Sequence, residues 1–298
     1  MTEAAMARHV PVLLQEVLDW LRPAAGRVYV DATLGLGGHS RAMLAASVPD
    51  GRVIGFEWDR QAVAIAGERL ASFGERIQIV PASYTEMPAV LHHRGIQAAD
   101  GLLADLGLSS LQLDLAERGF CFHSDAPLDM RMDRKRPLNA AQLLAEASES
   151  QLADLLYYYG EERQARRIAR HLVQARELQA ITTTKQLAAL VAQAVPRRYH
   201  PKRVHVATQT FQALRIAVNG ELDNVRALLT LAPQVLKPGG RMAIIAFHSL
   251  EDRLVKRAME QDPRLQPLCK KPVTPGPEEL AANPRSRSAR MRIARRLE

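Results

Sequence analysis

The chain has 298 residues, 47% of them hydrophobic and 24% charged, with a net charge of +8. That length accommodates one large core or two packed domains, and the basic balance favours an acidic partner, nucleic acid above all. No apolar run reaches the roughly 18 residues of a membrane span, no leader is expected at the N-terminus, and the two cysteines, Cys121 and Cys269, make neither a disulfide framework nor a four-cysteine zinc site, so a reducing cytoplasm is the expected setting.

In chain order, Leu13, Leu14, Val17, Leu18 and Leu21 fall at helical spacing, and Pro23 closes that helix. Residues 27–32 (RVYVDA) are a short β-rich run. The turn Gly35-Leu36-Gly37-Gly38 follows, and a helix is predicted over 39–46. A second strand is predicted over 52–57 (RVIGFE), a second helix over 61–73, a third strand over 77–80 and a fourth over 101–105 (GLLAD). This alternation predicts a parallel α/β sheet. The pattern pauses near Gln112, and from there to about Gly220 the chain reads as helical, with helices over 138–156, 161–177 and 184–195, the last preceded by threonines suited to capping. The alternation then resumes: a helix over 221–236, a tight turn at 237–240 and a fifth strand over 241–247 (RMAIIAF). The parsing is one parallel sheet carrying a helical insertion after its fourth strand. Pro272, Pro275, Pro277 and Pro284 predict an irregular path for the tail.

Charge is concentrated in two places. Residues 160–203 hold ten Lys/Arg against three Glu, and residues 283–298 six Arg against one Glu. Each run suits either nucleic acid or an ordinary solvated face, the second also a loose tail.

The turn from Asp31 to His39 follows a strand and opens a helix, the place where open α/β sheets bind ligands. Glu57, ending the second strand, is an acid placed to accept hydrogen bonds from both hydroxyls of a ribose, so the pair points to an adenosine-containing cofactor. A nicotinamide fingerprint would read G-x-G-x-x-G, whereas here the glycines are Gly35, Gly37 and Gly38, followed by His39. No G-x-x-x-x-G-K-[ST] is present to hold a nucleoside triphosphate. Asp105, Ser109 and Ser110 follow the fourth strand, and His248 and Ser249 follow the fifth. Methyl transfer from a sulfonium needs in-line positioning and a desolvated nucleophile. An exocyclic base amine is a poor nucleophile, and an acceptor drawing on its hydrogens localises the lone pair and takes up the leaving proton. Three readings fit Asp105: that acceptor, a partner for a cofactor ammonium group, or a turn or helix-capping aspartate. A lone histidine such as His248 is more often structural than basic. His92 and His93 read as surface, and no metal site is expected.

Several longer motifs resemble one family. They are HVPVLLQE at 9–16, VDATLGLGGHS at 30–40, DLGLSS at 105–110, ERGFCF at 117–122, APLDMRMD at 126–133, YGEERQARRIAR at 159–170, TFQALRIAVNGEL at 210–222, LKPGGRMAIIAFHSLEDR at 236–253 and NPRSRSARMRIA at 283–294. Together, and in this order over nearly the whole chain, they resemble the bacterial small-subunit ribosomal RNA cytosine-N4 methyltransferase family (RsmH, also called MraW).

The resemblance implies methyl transfer from S-adenosyl-L-methionine to N4 of a cytidine in the decoding region of 16S ribosomal RNA. It implies a Rossmann-like methyltransferase domain over 1–112 and 217–298, split by a helical substrate-recognition domain over 113–216. It also implies cofactor contacts at Gly37, Gly38, His39, Glu57, Tyr84, Asp105 and Gln112. For Tyr84 an aromatic ring packed on adenine is the physical reading, with ordinary core packing as its alternative. The chain departs from the family pattern at Glu57, where many relatives carry Asp, at Leu111, where proline is common, and at Val206 and Gln209, where proline and arginine are usual. Gln209 removes a positive charge from a segment expected to face RNA, with Lys202 and Arg203 nearby in sequence. The rivals are a DNA or protein methyltransferase, against which Asp105-Leu-Gly-Leu stands where a proline-rich turn is usual; a nicotinamide oxidoreductase, against which the glycine spacing argues; and a non-catalytic RNA-binding assembly factor. Partners expected are the small ribosomal subunit and its RNA, with neither DNA nor membrane.

Overall fold

In the computed structural model, which describes residues 10–298, the elements run α1 (Leu14–Leu21), β1 (Val28–Asp31), α2 (Gly38–Ala46), β2 (Arg52–Phe56), α3 (Arg60–Leu70), β3 (Ile77–Val80), α4 (Met87–His93), β4 (Ala99–Asp105), α5 (Ser110–Asp114), α6 (Ala140–Glu146), α7 (Glu149–Gly160), α8 (Ala165–Leu178), α9 (Thr184–Ala194), α10 (Thr208–Asn219), α11 (Glu221–Val235), β5 (Leu236–Ala246), α12 (Ser249–Gln261), β6 (Leu265–Pro267), α13 (Pro277–Ala282) and β7 (Arg290–Arg296). The reading of the extreme N-terminus as free of a leader falls on residues 1–9, which lie outside the described residues, as does the side chain of Ser110. No helix among the described residues is long and apolar enough to cross a membrane.

The chain divides into two compact units, Ser110–Glu221 and the segments flanking it, which end at Ser109 and begin again at Leu222. The flanking segments build one sheet in the order β3-β2-β1-β4-β5-β7-β6. β1 pairs in parallel with β2 and β4, and β4 in parallel with β5. Successive side chains of a strand point to opposite faces, and here both faces are covered. Val30, Ile54, Phe56, Leu102, Met242 and Ile244 enter one apolar cluster, while Tyr29, Val53, Leu103, Ala243, Ile245 and Ile293 enter the other. Burial on both sides is why the strands read as unbroken apolar runs rather than alternating ones. The strand order reverses between β1 and β4, which opens a crevice beyond their carboxyl ends.

The structure corrects the expected sheet in two ways. It has seven strands, not five, and one of them, β7, runs antiparallel to both β5 and β6. The tail, expected to be irregular, thus supplies an interior strand. Met291, Ile293 and Ala294 are buried on it, and Arg292 enters the core by pairing with Asp252 of α12, Nε to Oδ1 at 2.5 Å. The prolines lie upstream of β7, where they shape the approach and not the strand. The turn expected at 237–240 is instead drawn into β5, which starts at Leu236 opposite Ala99 and shifts register before Gly101 meets Arg241.

The unit Ser110–Glu221 is held by polar anchors as well as apolar helix faces. Asn139, Ser148 and Thr183 each cap a helix in a reciprocal box with Gln142, Gln151 and Gln186, satisfying end N–H groups that would otherwise lack partners. The stretch expected as one helix over 138–156 is accordingly broken at Ser148 into α6 and α7. Asn219, fully buried, accepts from the Met132 N–H and donates to the Met130 and Arg215 carbonyls. This fastens the APLDMRMD loop to the end of α10. Arg176 donates to the Leu144 and Ala147 carbonyls at the end of α6, so one of the ten basic residues of the 160–203 run is structural.

Candidate active site

Three acids stand at the carboxyl ends of β1, β2 and β4. Asp31 ends β1 and is buried; its carboxylate accepts from the Ser40 hydroxyl at 2.7 Å and from the Thr33 N–H at 3.2 Å. Glu57 follows β2; one carboxylate oxygen accepts from the Gly35 N–H at 3.0 Å and the other from the Asp59 N–H at 2.9 Å. Asp105 ends β4; its N–H donates to the Thr33 hydroxyl at 2.6 Å, tying this strand end to the turn after β1.

His39, on the first turn of α2, lies beside two of them, Asp31 and Asp105. Its Nε2 lies 2.9 Å from the Val12 carbonyl. A carbonyl only accepts, so Nε2 carries the hydrogen and Nδ1 faces the Asp105 carboxylate at 4.0 Å. Burial raises all three carboxyls above their ordinary range. Glu57 is pushed up to about 7. Asp31 rises by burial against the opposing Ser40 hydrogen bond and the nearby His39. Asp105 rises by burial, with His39 pulling it down and the charges of Asp31 and Glu251 pushing it further up.

The glycine turn works differently from the simplest reading of it. Gly37 has φ +79°, a left-handed conformation costly for other residues, and a Cβ there would come within 2.8 Å of the Leu70 side chain. A Cβ on Gly38 would come within 2.5 Å of the Pro11 ring. The faces left bare by these two glycines are therefore filled by the chain's own packing, and what the turn offers a ligand is backbone.

Tyr84 is buried just past β3, its ring centroid 6.5 Å from that of Trp58 and tilted by 31°. Trp58, between Glu57 and Asp59, was not singled out from the sequence; nor were Thr33 and Ser40, the hydroxyls that hold Asp105 and Asp31. The signal available was the place of Thr33 and Trp58 within two residues of a strand end and of Ser40 on the first turn of the helix that follows the glycines. Gln112 is buried in α5 and belongs to the other unit. His248 caps α12, its Nδ1 3.4 Å from the Glu251 N–H and its Nε2 3.2 Å from the Glu251 carboxylate. Glu251 in turn accepts from the Phe247 N–H at 2.9 Å. His92 and His93 are exposed at the end of α4.

A family model described as the MraW methylase family matches residues 6–297. The chain belongs to that family. Three curated relatives, each called ribosomal RNA small subunit methyltransferase H, are similar along their whole length. That of Desulfotalea psychrophila is 53% identical, with 97% of this chain and 98% of the relative covered. That of Sorangium cellulosum is 50% identical, with 97% and 91% covered, and that of Cyanothece sp. is 50% identical, with 97% and 95% covered. The protein is thus a methylase with a Rossmann-like sheet, and the crevice between β1 and β4 is its candidate active site.

Proposed function

We propose that this methylase transfers a methyl group from S-adenosyl-L-methionine to the exocyclic N4 of one cytidine in the decoding region of 16S ribosomal RNA, acting in the cytoplasm on the small ribosomal subunit. The observation that carries the reading is the set of three acids at the ends of β1, β2 and β4, buried at Asp31 and half-buried at Glu57 and Asp105. Carboxylates suit a cofactor bearing an ammonium, a sulfonium and ribose hydroxyls, and they repel the pyrophosphate of a dinucleotide. This agrees with the relatives' shared name.

When bound, S-adenosyl-L-methionine supplies a methyl group activated by a positively charged sulfur. Glu57 accepts from the ribose hydroxyls, Gly37 and Gly38 present backbone, and Tyr84 with Trp58 packs on the adenine. His39 orients Asp105. Held by these residues, the cofactor would supply its methyl group to N4 and leave as the thioether, and the proton lost by N4 would pass to an acceptor of this chain or to water. Asp105 takes one of two roles: it accepts from the N4 hydrogens and receives that proton directly or through water, or it pairs with the cofactor ammonium. The region placed by sequence at 113–216 recognises the RNA, and the segments at 1–112 and 217–298 carry the chemistry. Double-helical RNA hides base edges, so the cytidine is presented unpaired or flipped.

The test is methyl incorporation from labelled cofactor into small subunits from cells lacking the endogenous enzyme, with the modified base identified by mass spectrometry. Label at N4 of a single cytidine is expected. Cofactor binding with no label on subunits or naked RNA would refute the reaction. Asp105→Asn separates the two roles. A fall in kcat of about 10²-fold or more with cofactor affinity intact assigns it to the amine. A loss of cofactor affinity assigns it to the ammonium.

A further inference from the structure

Two neighbouring clefts on the inserted unit differ in charge. The larger, of about 480 Å³, is lined by Arg166, Arg167, Arg170, His171, Gln174 and Gln193. It lies along α8, whose opposite face, Ala165, Ile168, Ala169 and Leu172, is buried. Among the described residues no carboxylate lines it, and Arg170 meets the exposed Glu149 at 3.5 Å. The Nε2 of His171 is buried without a hydrogen-bond partner among the described residues. The smaller cleft, of about 220 Å³, is lined by Glu161, Glu162, Arg163, Tyr199, Val206 and Gln209 among others. Ala194 borders the first cleft and Val195 the second, so the two adjoin at the end of α9. Tyr199 is 51% exposed, and the Arg198 guanidinium lies 4.8 Å over its ring.

We infer that the two clefts are one binding site for single-stranded RNA, with a backbone phosphate in the arginine cleft and the adjoining unpaired base on Tyr199. This rests on the proposed RNA substrate and names where on the insert its strand is held. The division follows from the donors and acceptors. Three guanidiniums with two amides and an imidazole, and no acid, match phosphate oxygens. An exposed aromatic face beside two acids and a single arginine suits a stacking base better than a phosphate. A base paired in a duplex shows neither its face nor its pairing edge.

Fluorescence anisotropy on the full chain tests this, with a single-stranded RNA of about 12 nucleotides and a duplex hairpin as probes, each titrated with salt. The Arg166→Ala/Arg170→Ala variant should bind the single strand at least tenfold more weakly, and its log–log salt slope should be shallower by about 0.7, for the one phosphate no longer neutralised. Tyr199→Ala should weaken the single strand by about 5- to 100-fold with the slope unchanged, Tyr199→Phe should bind as the parent does, and neither should alter the hairpin. Melting curves and S-adenosyl-L-methionine affinity equal to the parent's report that a variant is folded. If the double arginine variant does not fold, Arg167→Gln reads the same slope. Unchanged affinity and slope in the arginine variants overturns the site, as does a Tyr199→Ala protein that binds like the parent or loses hairpin and single strand alike. Binding that behaves as expected without methyl incorporation would refute the proposed reaction and leave the site standing. Methyl incorporation with unaltered variants would refute the site alone.

Discussion

Glu57 is held between the Gly35 and Asp59 N–H groups, yet burial outweighs both and sets its carboxyl near pH 7. The ordinary value lies near 4.5, so between those two pH values the folded chain keeps a proton that the unfolded chain has released. The stability contributed by this side chain is therefore fully present below about pH 4.5 and is lost as pH rises through about 7. In the proposed site ribose hydroxyls would donate to the ionised form, so cofactor binding should run the opposite way. Affinity for S-adenosyl-L-methionine should rise about tenfold from pH 6 to pH 8 as the carboxylate forms, and calorimetry of Glu57→Gln should find a flat profile over that range. A parent profile that is itself flat would remove Glu57 from the cofactor. At this scale much was legible: an acid ending β2 and another ending β4 follow from strand boundaries alone. Thr33 and Ser40 were not, because a hydroxyl becomes a clamp only when a distant strand end arrives beside it.

Among the elements, β7 is the one whose role the linear pattern conceals. Four of its seven residues are arginine, a composition that reads as solvated, and no strand propensity rule seats arginine in a sheet interior. The element is stable there because Arg292 meets Asp252 at 2.5 Å and both are buried, while Met291 and Ile293 bury their side chains in the sheet. Removing one partner of a buried ion pair leaves the other charged and desolvated, at about 3–5 kcal/mol. Arg292→Ala should therefore lower the unfolding free energy by about 3 kcal/mol, the low end because Arg290 also reaches Asp252, at 3.4 Å. Urea melts measure this, and the double change Arg292→Met with Asp252→Leu should recover most of the loss. A single variant as stable as the parent would mean that the pair does not hold β7 in place. The helices of the insert were easier to read, since capping residues are local: Thr183 and Gln186 lie three positions apart in sequence and bond at that spacing.

Over the whole molecule, the net charge of +8 predicts association with RNA that weakens steeply with salt. With about four phosphates neutralised, raising monovalent salt from about 50 to about 200 mM should weaken binding to small-subunit RNA about 50-fold. Filter binding across that range checks it, and a nearly flat dependence would leave the basic surface without its assigned partner. What the sequence by itself determined is whatever depends on neighbours in the chain: the alternation of β1 to β4 with helices, the return of that pattern at β5, the helical insertion between them, the acids at strand ends and the ordered motifs that mark the family. Short-range periodicity and turn chemistry carry that information. What only the tertiary structure decided depends on partners far apart in the chain. β7 lies between β5 and β6 although it is last in sequence, His39 is aimed by the Val12 carbonyl toward Asp105, and the bare faces of Gly37 and Gly38 are filled by Leu70 and Pro11. Each is settled by which groups can be buried together with their hydrogen bonds satisfied, a condition that exists only once the chain has closed on itself.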